Sequence, residues 1–352
     1  MSRSTRLAFP LLVLCLSLWS CAPAPTVAPA VPPVSSPAGA APTESQKLIH
    51  FKVGFANFAS NAPIYFALKE GFFKEEGLDV ELVTFASANE IYPALIAGQV
   101  DAVAWSLAPA IFNAAAQGIH AKFVADKGFA STSACAADAW LASKQALAAG
   151  LSDPSTLKGK TVAVTRGSIS EYALDLMLAR GGLTAEDVQF TQITDNPTKV
   201  EALRSGTLDA APLGEPWITY ATSQGAAEVW MRYSDILPNQ SVAFVSYGPT
   251  VLDKNPEAGV RFMAGYLRGI DQFNKGKTDR NIELISEYTK ISADDLKAAC
   301  WNTFAPNGVA DVNGLLAYQQ WLLDKGLVEK ALPVDQFWTD EFVLEAAKRL
   351  GR

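Results

Sequence analysis

Polar and aromatic side chains that directly follow predicted strands, or begin predicted helices, are the residues of this sequence best placed to do chemistry. Open α/β sheets bind ligands beyond the carboxyl ends of their strands, so such positions converge on one cleft. Helix capping or core packing explains any one of them as well as ligand binding does, and only the set indicates a site. The predicted ligand-binding residues are Asn57, Asn61, Tyr65, Asn89, Trp105, Ser106, Trp140, Gly167, Ser168, Tyr172, Asp195, Glu215 and Trp217. Further candidates on the same grounds are Phe58, Ser87, Phe129, Ser131, Asp138, Arg166 and Asn196.

The sequence contains few residues of the types that usually catalyse reactions or bind metals. The chain has two histidines, His50 and His120, and four cysteines. It contains neither a Gly-x-Ser-x-Gly nor a Gly-x-x-x-x-Gly-Lys-Ser/Thr motif. We therefore expect no enzyme, no metal site and no cofactor. The formal net charge of −7 and the lack of a basic block also argue against a nucleic-acid partner.

The elements that would position these side chains alternate regularly along the chain. From residue 49 onward, strands and helices follow one another in a pattern typical of βαβ units and a mostly parallel sheet. One phrase occurs twice, as ALIAGQVDAVAWSLAPAIFNAAAQG at residues 94–118 and ALRSGTLDAAPLGEPWITYATSQG at residues 202–225. A common helix-to-strand connection would explain the shared Gly-x-x-Asp-Ala, but the match continues through a second helix and favours two equivalent lobes. We expect the shared residues to serve the fold and the differing ones to serve function.

The first 47 residues have the pattern of a membrane-tethered leader. Residues 1–20 combine a basic start with an apolar run too short for a confident membrane span, and they predict a signal peptide. The run ends in LWSC, which resembles a lipobox and predicts lipidation of Cys21, although Trp19 stands where a small residue is usual. Residues 21–47 are rich in Pro, Ala and Ser and predict an extended linker. We expect an extracytoplasmic protein held to the cell membrane by its lipid alone, with plain secretion and an unmodified cysteine as the alternative.

Two cysteines lie in the part of the chain expected to fold, Cys135 and Cys300. An extracytoplasmic compartment permits a disulfide between them. The sequence does not place their Cα atoms within bridging distance, so a disulfide and two buried thiols both remain open.

Several segments resemble landmarks of a known protein family. They are the two copies of the repeated phrase, SNAPIYFALKEGFFKEEGLDVELV at residues 60–83, LKGKTVAVTRGS at residues 157–168 and NPEAGVRFMAGYLRGI at residues 255–270. Together they resemble the solute-binding proteins of ABC importers, in the branch that covers nitrate, sulfonate, taurine and thiamine-pyrimidine precursors. The motifs are individually loose, but their order and spacing are specific, from about residue 48 to about residue 342.

The resemblance implies an α/β, two-lobed periplasmic-binding-protein fold of type II, with a hinge between the lobes and a helical C-terminal extension. Residues 48–140 and 240–352 would form lobe 1, and residues 141–239 would form lobe 2. A small-molecule solute would bind between the lobes of a monomer, whose partners would be the permease and ATPase subunits of an importer. A binding protein that feeds a sensor is the alternative. An enzyme that makes the thiamine pyrimidine is not expected, because the cysteine-rich motif of such relatives is absent.

Two classes of solute compete for the cleft. The turn TRGSISEY, residues 165–172, is the best anion-site candidate, because backbone N–H groups at a helix start and Arg166 suit nitrate or a sulfonate. Glu171, Asp195 and Glu215 would repel an anion, whereas aromatic side chains suit a flat ring. The sequence therefore favours a heteroaromatic vitamin or precursor, of the riboflavin or thiamine-pyrimidine type. An oxyanion of the nitrate, sulfonate or taurine type is the alternative.

Overall fold

The computed structural model describes residues 47–132, 135, 137–193 and 195–352. The predicted signal peptide, the predicted lipidation site Cys21 and the predicted linker up to residue 46 lie outside the described residues. Within the described ranges, no helix combines the length and the apolar character needed to span a bilayer.

The strands of the described residues form two five-stranded sheets. They are β1 (Ile49–Phe55), β2 (Leu78–Thr84), β3 (Ala102–Ser106), β4 (Lys122–Phe129), β5 (Asp138–Ser143), β6 (Thr161–Ala163), β7 (Gln189–Thr191), β8 (Ala210–Gly214), β9 (Ala227–Arg232) and β10 (Ser241–Tyr247). The first sheet has the order β2-β1-β3-β10-β4, and the second has the order β7-β6-β8-β5-β9.

Helices cover the faces of the sheets and make up most of the C-terminal region. They are α1 (Ala62–Lys69), α2 (Phe72–Glu75), α3 (Ala88–Ile96), α4 (Ala110–Ala116), α5 (Lys144–Ala148), α6 (Ile169–Arg180), α7 (Asn196–Ser205), α8 (Trp217–Ser223), α9 (Tyr233–Ile236), α10 (Pro256–Asn274), α11 (Asp279–Thr289), α12 (Ala293–Ala298), α13 (Val312–Asp324), α14 (Val334–Phe337) and α15 (Glu341–Arg349). The helical C-terminal extension is thereby confirmed.

The two sheets share one topology. In the first, β1 is parallel to β2 and β3, and β10 is antiparallel to β3 and β4. In the second, β6 is parallel to β7 and β8, and β5 is antiparallel to β8 and β9. The antiparallel strands β10 and β5 each come directly after the chain has crossed from the other sheet. This is the two-lobed fold of type II periplasmic binding proteins, as expected, with the first crossing between Phe129 and Asp138 rather than at the predicted boundary of residue 141.

The repeated phrase occupies equivalent places in the two lobes, because β3 and β8 are the third strands of their sheets. The carboxylate of Asp101 accepts from the backbone N–H of Lys52 at 2.7 Å, and that of Asp209 accepts from the N–H of Thr161 at 2.7 Å. Both donors lie in the neighbouring parallel strand, β1 or β6. The backbone N–H of Asp101 also donates to the carbonyl of Lys52, and that of Asp209 donates to the carbonyl of Thr161, at 2.8 Å each. The expectation that the shared Asp serves the fold is confirmed.

Removing either of these aspartates should destabilise the protein by a similar amount. Asp209→Ala leaves the N–H of Thr161 without its charged acceptor, and we expect a loss of about 2 kcal/mol in the free energy of unfolding. Asp101→Ala should lose about the same, since its geometry matches. Denaturant titration measures both. Asp335→Ala, which removes an exposed carboxylate, is the control and should change little. Unchanged stability in both aspartate variants would contradict the equivalence.

Cys135 and Cys300 form a disulfide, with their Cα atoms 5.8 Å apart. Of the two possibilities left open by the sequence, the paired one is therefore confirmed. Cys135 lies in the crossing between β4 and β5, and Cys300 follows α12. The bond links the first crossing between the lobes to the C-terminal region.

Candidate functional site

A cavity of about 220 Å³ lies between the two sheets. The first sheet and its loops contribute Phe58, Ser60, Trp105, Ser106, Lys127, Gly128, Val242 and Ala243 to its walls. The second sheet, its helices and the preceding crossing contribute Ala137, Asp138, Ile169, Ser170, Asn196, Lys199, Pro212, Leu213, Gly214, Glu215, Trp217 and Tyr233. Asn302, from the C-terminal region, completes the lining. The cavity lies where strands of both lobes end, which is where the sequence predicts a site.

The structure brings some of the predicted residues to this cavity. Trp105 and Ser106 end β3, and Glu215 and Trp217 follow β8, so the differing parts of the repeated phrase face one another across it. The further candidates Phe58, Asp138 and Asn196 also line the cavity. Their contact with a solute stays a prediction.

Three other predicted residues are buried in the protein core and do not line the cavity. The Asn61 side chain donates to the carbonyl of Ala56 at 2.7 Å, and the Tyr65 hydroxyl donates to the same carbonyl at 3.3 Å. Tyr65 also stacks on Tyr288, with ring centroids 4.4 Å apart. Trp140, in β5, has no exposed surface. For these residues the alternative of capping or packing describes the observed contacts.

Three more predicted residues, one in a loop, one on a helix surface and one at a helix cap, lie outside the cavity lining. Asn57 and Asn89 are exposed. Asp195 caps α7, where its carboxylate accepts from the N–H of Thr198 at 2.9 Å and from the Thr198 hydroxyl at 2.6 Å. Capping again accounts for the acidic residue at this helix start.

The turn predicted as the best anion site is satisfied by its own side chains. The N–H of Gly167 donates to the carboxylate of Glu171 at 2.5 Å, and the Ser168 hydroxyl donates to the carbonyl of Thr165 at 2.6 Å. Arg166 is exposed and lines a second cavity of about 480 Å³, away from the one between the sheets. Tyr172 packs edge-on against Tyr318, at 5.6 Å between centroids. A helix start whose first N–H already holds a carboxylate is a poor place for a second anion.

Lys127 lines the cavity and was not among the residues predicted from the sequence. It is 3% exposed on β4, and its ammonium donates to the Ser60 hydroxyl at 2.9 Å. Burial lowers its pKa to about 8, against the opposing influence of the carboxylates of Asp138 and Asp126. The strand reads KFVADKGF, so the available signal was a pair of charged residues, Asp126 and Lys127, within a predicted strand.

Two carboxylates of the cavity are already engaged by the protein. Burial raises the pKa of Asp138 to about 6, although the nearby ammonium of Lys127 opposes the shift. Burial likewise raises the pKa of Glu215. The Glu215 carboxylate accepts from the N–H of Thr219 at 3.0 Å, from the Thr219 hydroxyl at 2.9 Å and from the N–H of Cys300 at 3.0 Å. Asp138 therefore balances Lys127, and Glu215 is satisfied by three donors.

Of the two lysines that line the cavity, Lys199 has fewer carboxylates near its ammonium than Lys127. It lies in the first turn of α7, is 9% exposed and, within the described part of the chain, forms no hydrogen bond or ion pair through its ammonium. Burial lowers its pKa to about 8, and the only opposing carboxylate is that of Asp195. A buried ammonium without a partner is costly, and an anionic ligand would relieve that cost. The sequence analysis passed over this residue because a lysine at this helix position is usually solvated.

Aromatic side chains form the apolar part of the wall. Phe58 and Trp105 pack against each other with centroids 5.8 Å apart, on the side of the first sheet. Trp217 lies on the side of the second sheet and contacts Tyr220 edge-on at 5.6 Å. The cavity thus combines unpaired positive charge with flat apolar surfaces, an arrangement suited to a solute with a charged head and an organic body.

The two-lobed fold and its cavity between the sheets define the class of periplasmic binding proteins of type II. Within it, this chain belongs to the NMT1-like family, whose sequence model matches residues 44–285. The family resemblance seen in the sequence is confirmed.

Two curated relatives align with most of the chain. A Brucella abortus protein, named as a binding protein, is 26% identical over 261 residues, which cover 72% of this chain and 76% of the relative. A Bacillus subtilis protein, whose name assigns it to aliphatic sulfonates, is 24% identical over 292 residues, or 80% of this chain and 82% of the relative.

Solved structures share the fold at lower identity. The periplasmic nitrate-binding protein of Synechocystis PCC 6803 superposes with a TM-score of 0.69 at 16% identity, covering 86% of this chain and 89% of the other. The aliphatic sulphonate binding protein of Escherichia coli gives 0.67 at 21% identity, with coverages of 82% and 92%. A desulfurization enzyme gives 0.63 at 13% identity, with coverages of 85% and 99%. The fold therefore accompanies both binding and catalysis, and function has to be argued from the site.

Proposed function

We propose that this protein is the extracytoplasmic solute-binding component of an ABC importer and that its solute is a small oxyanion of the sulfonate or nitrate type. The observation that carries the proposal is Lys199, a residue only 9% exposed that lines the cavity between the lobes and whose ammonium forms no hydrogen bond or ion pair within the described residues. A sulfonate or nitrate keeps its charge at any physiological pH and accepts several hydrogen bonds, so it complements such a cation.

The balance of charges across the cavity supports an anion. Lys127 lies near the carboxylate of Asp138, and the carboxylate of Glu215 accepts from three neutral protein donors. Within the described residues, the ammonium of Lys199 forms no ion pair, and only the carboxylate of Asp195 opposes the lowering of its pKa. The side-chain amide of Asn196 lines the same cavity and would donate to the remaining oxygens of the solute, whereas the Ser170 hydroxyl, which also lines it, is bonded to the Ser168 hydroxyl at 2.7 Å.

The heteroaromatic vitamin favoured by the sequence analysis has less support than its alternative. That preference depended on Glu171, Asp195 and Glu215 as acceptors facing the solute, but each of these carboxylates accepts from a protein donor. The named relatives and structural neighbours point to sulfonate and nitrate rather than to a riboflavin or thiamine-pyrimidine type of solute. The aromatic walls would then receive the organic part of the anion.

The cellular setting of the proposal follows the sequence. Lipidation at Cys21 would hold the protein at the membrane surface, and the linker would let it reach its partners, the permease and ATPase subunits. We expect a monomer that closes around its solute and presents the closed form to the permease. A sensor partner stays the alternative.

A ligand panel tests the proposal directly. The purified protein is titrated with ethanesulfonate, taurine, nitrate, riboflavin and a thiamine pyrimidine, by thermal shift and then by calorimetry. We expect stabilisation by at least one of the oxyanions and none by the two vitamins. Stabilisation by riboflavin or the pyrimidine alone would contradict the oxyanion. Conversion of any solute to product would overturn the assignment as a binding protein in favour of an enzyme.

Affinity for the oxyanion should fall at alkaline pH. Burial lowers the pKa of Lys199 to about 8 in the free protein, and binding requires the charged ammonium. Affinity should be constant below about pH 7 and should fall above about pH 8, approaching tenfold per pH unit, since binding must then take up a proton. Calorimetric titration with ethanesulfonate or nitrate measures this effect, because neither probe titrates in the range. Lys127 has a pKa of about 8 in the same cavity, so the profile is compared with that of Lys199→Met. A flat profile from pH 7 to 9.5 would remove Lys199 from the site.

A further inference from the structure

The segment that follows α12 forms a third wall of the cavity, from neither of the two sheets. It is fastened to the end of β4, where Phe129 donates its N–H to the carbonyl of Thr303 at 2.9 Å. The Thr303 hydroxyl donates back to the carbonyl of Phe129 at 2.7 Å, and the N–H of Ala305 donates to the carboxylate of Asp126 at 2.8 Å. These bonds hold the backbone of residues 303–305 against β4, next to the cavity.

Asn302 is the residue of this segment that lines the cavity. Its neighbours are engaged, since Trp301 donates its indole N–H to the carbonyl of Leu296 at 2.9 Å and Thr303 is bonded to β4. The amide of Asn302 is half-buried and makes no side-chain hydrogen bond within the described residues. A half-buried amide that keeps both its donor and its acceptor free at a cavity wall is suited to a ligand.

The disulfide holds this wall against the second lobe. Cys300 lies two residues before Asn302, and its partner Cys135 lies three residues before Asp138, which also lines the cavity. The N–H of Cys300 donates to the carboxylate of Glu215 at 3.0 Å. The disulfide therefore holds together the two segments that contribute Asn302 and Asp138 to the cavity. It also fixes the N–H group of Cys300 that donates to Glu215.

We propose that Asn302 is a solute-binding residue that donates its side-chain N–H to the oxyanion, and that the Cys135–Cys300 disulfide is its positioning element. The inference rests on the proposed function, because it takes the solute to be an oxyanion. Neither cysteine lines the cavity, so the disulfide itself would not contact the solute. It acts by keeping the backbone of residues 300–303 where the amide meets the cavity.

The test is a double-mutant cycle with ethanesulfonate and nitrate as probes. Asn302→Ala should weaken binding about tenfold, and Asn302→Asp should weaken it further, because a carboxylate of the same shape repels the anion. The Cys135→Ser, Cys300→Ser double variant should also bind several-fold more weakly. Adding Asn302→Ala to that double variant should cost little more, because the amide is already misplaced. Asn274→Ala, at an exposed position of α10, is the matched control and should bind like the wild type.

Amide hydrogen exchange supplies a readout that needs no solute. In the disulfide-free variant, exchange at residues 300–303 should accelerate while exchange in the central strands is unchanged. Equal loss from Asn302→Ala with and without the disulfide would overturn the positioning role, as would unchanged exchange. Wild-type affinity in Asn302→Ala would overturn the binding role. If wild-type protein binds neither probe, the proposed function and the oxyanion role of Asn302 fail together, and the exchange result still decides whether the disulfide orders the segment.

Discussion

Lys199→Met should reduce affinity for the oxyanion at least a hundredfold while leaving the protein folded. The substitution keeps the length of an unbranched side chain and removes the ammonium that we propose as the counter-ion of the solute. Loss of one partner from a buried, hydrogen-bonded charge pair typically costs about 2 to 5 kcal/mol, and a hundredfold change corresponds to about 2.8 kcal/mol. Calorimetry with ethanesulfonate or nitrate measures the loss.

The same substitution should stabilise the solute-free protein. Lys199 is nearly buried without a partner, and the lowering of its pKa to about 8 reflects the cost of keeping its charge there. Methionine avoids that cost, so we expect a gain of about 2 kcal/mol in the free energy of unfolding at pH 7. Opposite signs for affinity and stability separate loss of a binding group from loss of the fold.

The matched control is Lys330→Met, which neutralises an exposed lysine outside the cavity lining. It should change neither affinity by more than about twofold nor stability by more than about 0.5 kcal/mol. If Lys199→Met binds the oxyanion as tightly as the wild type, Lys199 is not the counter-ion. Equal losses in the two lysine variants would indicate a general effect of net charge instead.

Gly269→Ala should be among the most damaging single substitutions in the first lobe. A Cβ at Gly269 would lie 2.0 Å from the carbonyl oxygen of Pro63 and 2.8 Å from its carbon, both backbone atoms at the start of α1. Alanine would favour the helix by about 1 kcal/mol, but the clash forces α1 and α10 apart. We expect a net loss of about 3 kcal/mol or more in the free energy of unfolding, measured by denaturant titration.

Gly314→Ala is the control for that prediction, because it also adds a Cβ within a helix. There the nearest atoms are the side-chain oxygens of Gln240 and Asp311, at 3.2 and 3.3 Å, and these can move. Its effect should stay within about 1 kcal/mol. If the two glycine variants are equally stable, the close approach of α1 and α10 is not what requires glycine. Gly269 lies in NPEAGVRFMAGYLRGI, so this family landmark would then lack the packing role that its geometry indicates.

The architecture was largely predictable because its signals are local. Strand and helix periods, glycine stops and capping residues act over a few neighbouring residues, and they suffice to indicate βαβ units. The repeated phrase added the two-lobed plan, because its Asp binds the adjacent parallel strand in both copies, at Asp101 and Asp209. The same phrase also marked Trp105, Glu215 and Trp217, which the structure brings to one cavity.

The charges of the site were not predictable in the same way. Gly167 has the N–H expected of an anion site, but Glu171, four residues later, already accepts from it. Lys127 follows Asp126 in a strand that reads KFVADKGF, and its role as a lining residue appears only once β4 is placed at the cavity. Asn302 has no local pattern at all, and its position depends on the disulfide and on its attachment to β4.

The sequence by itself determined the alternation of strands and helices, the duplication of the lobe plan and the membership of the binding-protein family. Only the tertiary structure decided that Cys135 and Cys300 pair, and that Lys199 and Asn302 both line the cavity between the sheets. The physical reason is one of range. Helix and strand preferences depend on neighbouring residues, whereas burial, charge compensation and disulfide pairing depend on which distant segments meet when the two lobes fold together.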